Sequence, residues 1–124
     1  MKTCDLNRVK AEDLSWRYRR KLAESQDLAV AMLEVLSGAR TLPHSHDHEE
    51  VILVLKGAWR FSVGGDEVTL RSNQMLSIPP GVEHSSLALE DTVAIDICAR
   101  RRKDWRSGED RPLHYDPDQY LWAV

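Results

Sequence analysis

Residues 51–70 read VILVLKGAWRFSVGGDEVTL, and this stretch decides the fold class. Val51 to Leu55 is an unbroken run of β-branched residues and leucine that stops at Gly57, the composition of a strand. Trp59, Phe61 and Val63 then alternate with Arg60 and Ser62, so one face is apolar and the other polar. Gly64-Gly65-Asp66 supplies the positive-φ positions of a tight turn, and Val68 and Leu70 resume the alternation. The predicted unit is an antiparallel hairpin.

The same grammar continues on both sides. Asn73 marks a turn, Met75 to Ile78 a short strand, and Pro79-Pro80-Gly81 a corner before a strand from His84 to Leu89. After a turn at Glu90-Asp91, Val93, Ile95 and Ile97 fall on one face and Ala94, Asp96 and Cys98 on the other. Upstream, LAVAMLEVL at residues 28–36 consists of good helix formers, but the β signals that follow favour a strand. Residues 1–27 are polar, with Trp16 and Tyr18 among Arg17, Arg19 and Arg20, which suits an edge strand or a loosely docked arm. Ser107 to Asp118 is rich in Pro, Asp and Gly, and the chain closes on Tyr120, Leu121, Trp122 and Val124. Seven or eight short strands with turn chemistry between them, and no βαβ alternation, predict a single all-β domain, an antiparallel sandwich or jelly roll. The expected organisation is an arm or edge strand over 1–27, a barrel over 28–99, and a tail over 100–124 that docks on the barrel or on a partner subunit.

Composition sets the outer limits. A chain of 124 residues, 42% apolar and 30% charged, can bury a core without disulfide or metal staples. Cys4 and Cys98 form no CxxC pair and read as free thiols in a reducing compartment. Seventeen basic against twenty acidic side chains, a net charge of -3, leave no electrostatic footprint for phosphate backbones apart from Arg100-Arg101-Arg102-Lys103. Nucleic acid is therefore not an expected partner. The N-terminus lacks a signal-like apolar segment, and the longest apolar run, Leu28 to Leu33, is far shorter than a membrane span. The expectation is a cytoplasmic protein with no membrane partner.

Four of the five histidines fall in two places: His44, His46 and His48 in one stretch, and His84 directly after the Pro-Pro-Gly corner. Neutral imidazole is the commonest metal ligand. In an extended segment His44 and His46 project to one side while Ser45 points away. Glu50 can bring a carboxylate to the same ion once the chain bends, and His84 arrives from a distant strand. Three nitrogens and one carboxylate leave coordination positions open for water or substrate. On the residues alone, HSHDHEE reads equally well as a solvated polar loop. His48 shares parity with His44 and His46, as an alternative ligand, a supporting group or a solvent-facing side chain. His114 carries no expected role.

The whole pattern resembles the cupin superfamily. Gly38, His44, Ser45, His46, Glu50 and Gly57 stand at the spacing of its first motif without a gap, and Pro79-Pro80-Gly81-Val82-Glu83-His84 matches the core of its second. The resemblance covers residues 28–99. It implies a double-stranded β-helix barrel with His44, His46, Glu50 and His84 as ligands of one divalent transition metal, whether Fe, Mn, Ni, Zn or Cu. Two positions depart from the second motif: Asn73 replaces a usual Gly, and Ala88 an Asn. Asn tolerates the left-handed turn, and Ala88 leaves the four ligands intact.

The family spans many reactions, so function is argued from the other site residues. The stretch Asp96-Ile97-Cys98-Ala99-Arg100-Arg101-Arg102 resembles the end of the barrel in small cupins of pectin and alginate degradation, which open the ring of 4,5-unsaturated monouronates. There an Asp, an aromatic two residues on and an Arg four beyond surround the substrate. The matching positions here are Asp96, Cys98 and Arg102, with Cys98 in place of the aromatic. The resemblance implies Asp96 as general base and Arg102 as the clamp on a substrate carboxylate. A competing expectation is a non-haem metal dioxygenase acting on an enol or catechol-like substrate, with Val30, Met32, Trp59, Phe61 and Met75 available for an apolar pocket. A third is a metal-bearing module that binds a small ligand without turning it over. A homodimer is expected, with the charged N-terminal strand and the apolar C-terminus as candidate surfaces.

Overall fold

The computed structural model describes residues 1–99, 109–114 and 116. Among the described residues the strands are β1 (Glu12–Ser15), β2 (Tyr18–Glu24), β3 (Leu28–Val35), β4 (Arg40–His44), β5 (Glu50–Lys56), β6 (Ala58–Val63), β7 (Asp66–Arg71), β8 (Met75–Ile78), β9 (His84–Ala88) and β10 (Thr92–Ala99). Short 3-10 helices cover Leu6–Arg8 and Arg111–His114. The strands form a six-stranded sheet, β1-β2-β3-β10-β5-β8, and a four-stranded sheet, β4-β9-β6-β7. All pairs are antiparallel. This is the jelly-roll barrel that the sequence implies. The polar N-terminal segment, expected as an edge strand or a docked arm, forms two strands, β1 and β2, which extend the larger sheet with β1 at its edge.

The predicted hairpin is β6–β7. Val63 pairs with Asp66 across Gly64 and Gly65, whose φ angles of 56° and 91° give the two left-handed residues of a type I′ turn. Gly57, φ 102°, is required for a second reason: an added Cβ would lie 2.4 Å from the Asp91 carbonyl oxygen and 2.6 Å from Thr92 Oγ1. Asn73 adopts φ 66°, as its place in the second motif demands.

The core lies between the sheets. β3 turns Ala29, Ala31, Leu33 and Val35 inward, β5 contributes Ile52 and Val54, β6 contributes Trp59 and Phe61, and β8 contributes Ile78. Residues 28–36 are a strand rather than a helix because every second side chain reaches this core. Burying these side chains is worth about 1.5–3 kcal/mol for each large one. That parity also corrects the apolar pocket expected for a dioxygenase. Val30 and Met32 fall on the half-exposed outer face of β3, and Met75 is 63% exposed, so only Trp59 and Phe61 of that set reach the interior.

On β10, Thr92, Ala94, Asp96 and Cys98 face inward, while Val93, Ile95 and Ile97 face outward. Cys4 is exposed and Cys98 buried. Among the described residues, no helix is long and apolar enough to cross a membrane.

Candidate metal centre

His44 closes β4 and pairs in register with His84, the first residue of β9. The extended conformation assumed for the histidine stretch ends there: residues 45–49 bend before β5 begins at Glu50. That bend brings His46 round to the pair, and Gly81 N–H ties it to the proline corner by donating to the His46 carbonyl at 2.7 Å. The ring centroid of His44 lies 4.3 Å from that of His84 and 5.9 Å from that of His46, and those of His46 and His84 lie 5.0 Å apart. Each imidazole can offer one nitrogen such that all three lie within 4.8 Å of one another. The Glu50 carboxylate joins them, with Oε1 3.4 Å from His84 Nε2 and 3.6 Å from His46 Nε2.

The backbone sets the ring orientations. Nδ1 of His44 meets the Leu42 carbonyl at 2.8 Å, that of His46 the His48 carbonyl at 2.9 Å, and that of His84 the Val82 carbonyl at 2.9 Å. A carbonyl only accepts, so each Nδ1 carries a hydrogen and each neutral ring turns its Nε2 lone pair inward. Buried His46 Nε2 has no hydrogen-bond partner. Two inward lone pairs facing a carboxylate oxygen at under 4 Å call for a shared cation. The residues present therefore fit a divalent metal, with backbone carbonyls fixing the tautomers as partners of metal-bound histidines do. His48 takes part through its carbonyl, while its ring Nε2 lies 3.0 Å from Asp47 Oδ1.

Asp96, 5% exposed, lines the same cavity as His44, Glu50 and His84. Arg102, the expected carboxylate clamp, lies outside the described residues, as does most of the expected tail. What the tail does show is a group that sequence reasoning missed. Tyr18 and Arg20 from β2, with Asp110 and His114 from the tail, line this cavity too. Arg20, 2% exposed, donates from Nη1 to Asp110 Oδ2 at 2.7 Å and from Nε to Glu12 Oε1 at 3.2 Å. Burial alone would raise the Asp110 pKa, but bonds from His114 and Arg20 outweigh it and hold the group at about 2. Asp110 is thus ionised, and His114 Nε2, 3.3 Å from Oδ2, donates to it. The His114 ring lies 4.2 Å from the Tyr18 ring. Burial, then the charges of Asp96 and Glu50, push the Tyr18 pKa well above its ordinary value, so its hydroxyl remains a donor. The parity of Tyr18 with Arg20 was the only signal available in the sequence.

The sequence model for the cupin domain matches residues 31–98. No curated protein matches this chain. Among solved structures, KdgF from Halomonas sp. superposes with a TM-score of 0.74 at 27% identity, over 80% of this chain and 93% of that one. An RmlC-like cupin from Shewanella frigidimarina NCIMB 400 gives 0.74 at 23% identity, over 80% of this chain and 90% of that one. Ectoine synthase from P. lautus gives 0.76 at 13% identity, over 89% and 87%. The last two likenesses speak to the fold alone.

Proposed function

This chain belongs to the cupin domain family, and we propose that it is a metal-dependent enzyme that opens the ring of a small, anionic, unsaturated uronate-like sugar acid. The observation that carries this reading is the buried Asp96 carboxylate in one cavity with His44, Glu50 and His84. The resemblance of the Asp96 stretch to cupins of pectin and alginate degradation supports it. So does the likeness to KdgF, which spans nearly the whole of that chain.

His44, His46, Glu50 and His84 would hold the metal, which would supply Lewis-acid charge to offset the negative charge that develops on oxygen. Asp96 acts as general base and takes the proton of the anomeric hydroxyl. The C1 carbonyl forms, the bond from C1 to the ring oxygen breaks, and its electron pair passes to that oxygen to give an enolate. Protonation at C4 then yields the open-chain ketone, so the reaction is an isomerisation with no external reactant. Tyr18, held as the neutral phenol, offers an O–H to the developing oxyanion. Trp59 and Phe61 form the apolar wall. The enzyme acts as a homodimer.

The test is turnover of a 4,5-unsaturated monouronate, followed by loss of the ultraviolet absorbance of its conjugated double bond. Asp96→Asn should lower kcat by roughly 100-fold or more, the scale of a lost general base, with metal content unchanged. Full activity in this variant would remove Asp96 from the mechanism. Binding without turnover by the wild type would make the protein a ligand-binding module.

A further inference from the structure

The cavity beside the histidine cluster measures about 30 Å³, room for one or two waters. Small-molecule sites are about tenfold larger or more. The carboxylate of a six-carbon sugar acid cannot reach Arg20, 2% exposed beneath Asp110, unless a wall moves. Nearly all of that wall is barrel strand, held by paired backbone ladders. The exception among the described residues is the stretch 109–114, which brings Asp110, Leu113 and His114 into the cavity.

This segment is held mainly by polar groups. Asp110 sits on Arg20 with contacts of 2.7 and 3.4 Å. Asp116 takes Arg17 Nη1 with both oxygens, at 3.1 and 3.0 Å. The His114 ring covers the Tyr18 ring. A carboxylate on a buried guanidinium fork and a ring face packed on a tyrosine are also what a uronate presents. Two buried nitrogens at the cavity, Trp59 Nε1 and His114 Nδ1, have no hydrogen-bond partner. In a polar pocket such groups are where hydroxyls bind.

We propose that Arg20 is the anchor for the substrate carboxylate and that Asp110 is its resident stand-in, so that an anionic ligand displaces Asp110 and drives residues 109–114 off the barrel mouth. The exchange is carboxylate for carboxylate. Arg20 therefore never loses a charged partner at its fork, and Glu12 stays on its Nε side. The segment makes the site selective, since a neutral sugar in place of Asp110 removes the negative charge that the buried guanidinium meets on its Nη side. The inference rests on the sugar-acid reading of the site but concerns binding, not turnover.

The experiment is calorimetric titration of the full-length, metal-loaded protein with galacturonate and, as the neutral control, galactose. Asp110→Asn weakens the stand-in and should tighten galacturonate binding about tenfold or more, because the competent state no longer competes with a closed one. Galactose binding should not follow. Arg20→Gln should lose galacturonate binding at least tenfold with metal content intact, and Arg20→Lys, which keeps the charge, should recover part of it. Hydrogen exchange on the wild type supplies an independent readout. The Leu113 amide, bonded to the Asp110 carbonyl at 3.0 Å, should exchange faster when galacturonate saturates the site. Unchanged or weaker binding in Asp110→Asn, no binding to either protein, or slower exchange at Leu113 would each overturn the proposal and leave Asp110 a structural pin. Tight galacturonate binding to Asp110→Asn, with no turnover of a 4,5-unsaturated monouronate by the wild type, would instead sink the ring-opening reading and leave this one standing.

Discussion

Asp110 couples the tail to the barrel, and its contribution to stability can be worked from its titration. Its pKa falls from 3.8 to about 2 in the folded protein, close to two units at about 1.4 kcal/mol each. The ionised group therefore stabilises the fold by about 2 kcal/mol relative to its protonated form. The sign follows from the direction of the shift. A depressed pKa means that stability is fully present above the unfolded value of 3.8 and is lost as pH falls through about 2. About half of the effect is gone by pH 3. Asp110→Asn keeps the shape but not the charge, so it should cost about 2 kcal/mol at pH 7 and roughly half that at pH 3. Urea unfolding followed by tryptophan fluorescence, for both proteins at a series of pH values, gives the difference directly and cancels the other carboxylates. A stability gap that stays constant with pH, or no gap at pH 7, would refute the reasoning.

Three further outcomes follow from the geometry. His46→Ala removes the ring that bridges toward Glu50, so metal content by elemental analysis should fall from about one ion per chain to near zero. The circular dichroism spectrum should persist, because His46 is not part of the apolar core cluster; an unfolded variant would show that the fold depends on the ion. Gly57→Ala places a Cβ 2.4 Å from a backbone oxygen at φ 102° and should cost roughly 2 kcal/mol or more, read as a lower urea midpoint. Light scattering should return twice the 14.2 kDa of the chain, and a monomeric mass at working concentration would refute the homodimer.

Much of the fold was legible because β structure writes itself at period two. The alternation through Trp59, Phe61 and Val63 located β6, and the glycine pair after it located the turn. The same rule placed Asp96 on the inner face of β10. The N-terminal strands were harder to read because β2 carries Arg20 at an inward position, which breaks the expected pattern of apolar inside and polar outside. Its burial is compensated by Asp110 and Glu12, and no local pattern announces such compensation. His46 illustrates a further limit. Parity on an extended chain predicted its convergence with His44, yet the chain bends there, and the His48 carbonyl sets the ring.

The amino-acid sequence by itself determined the all-β class, the main hairpin, the turn positions and the four residues of the cupin motif pattern, because each is written in local periodicity or in short spacings. The tertiary structure alone decided that Tyr18, Arg20, Asp110 and His114 share a cavity with those residues. Arg20 and Asp110 stand 90 positions apart, and the strand order β2-β3-β10 leaves only one strand between β2 and β10, the last described strand before Asp110. A buried charge is stable only with its counter-charge in place, and which counter-charge arrives is decided by topology rather than by any pattern along the chain.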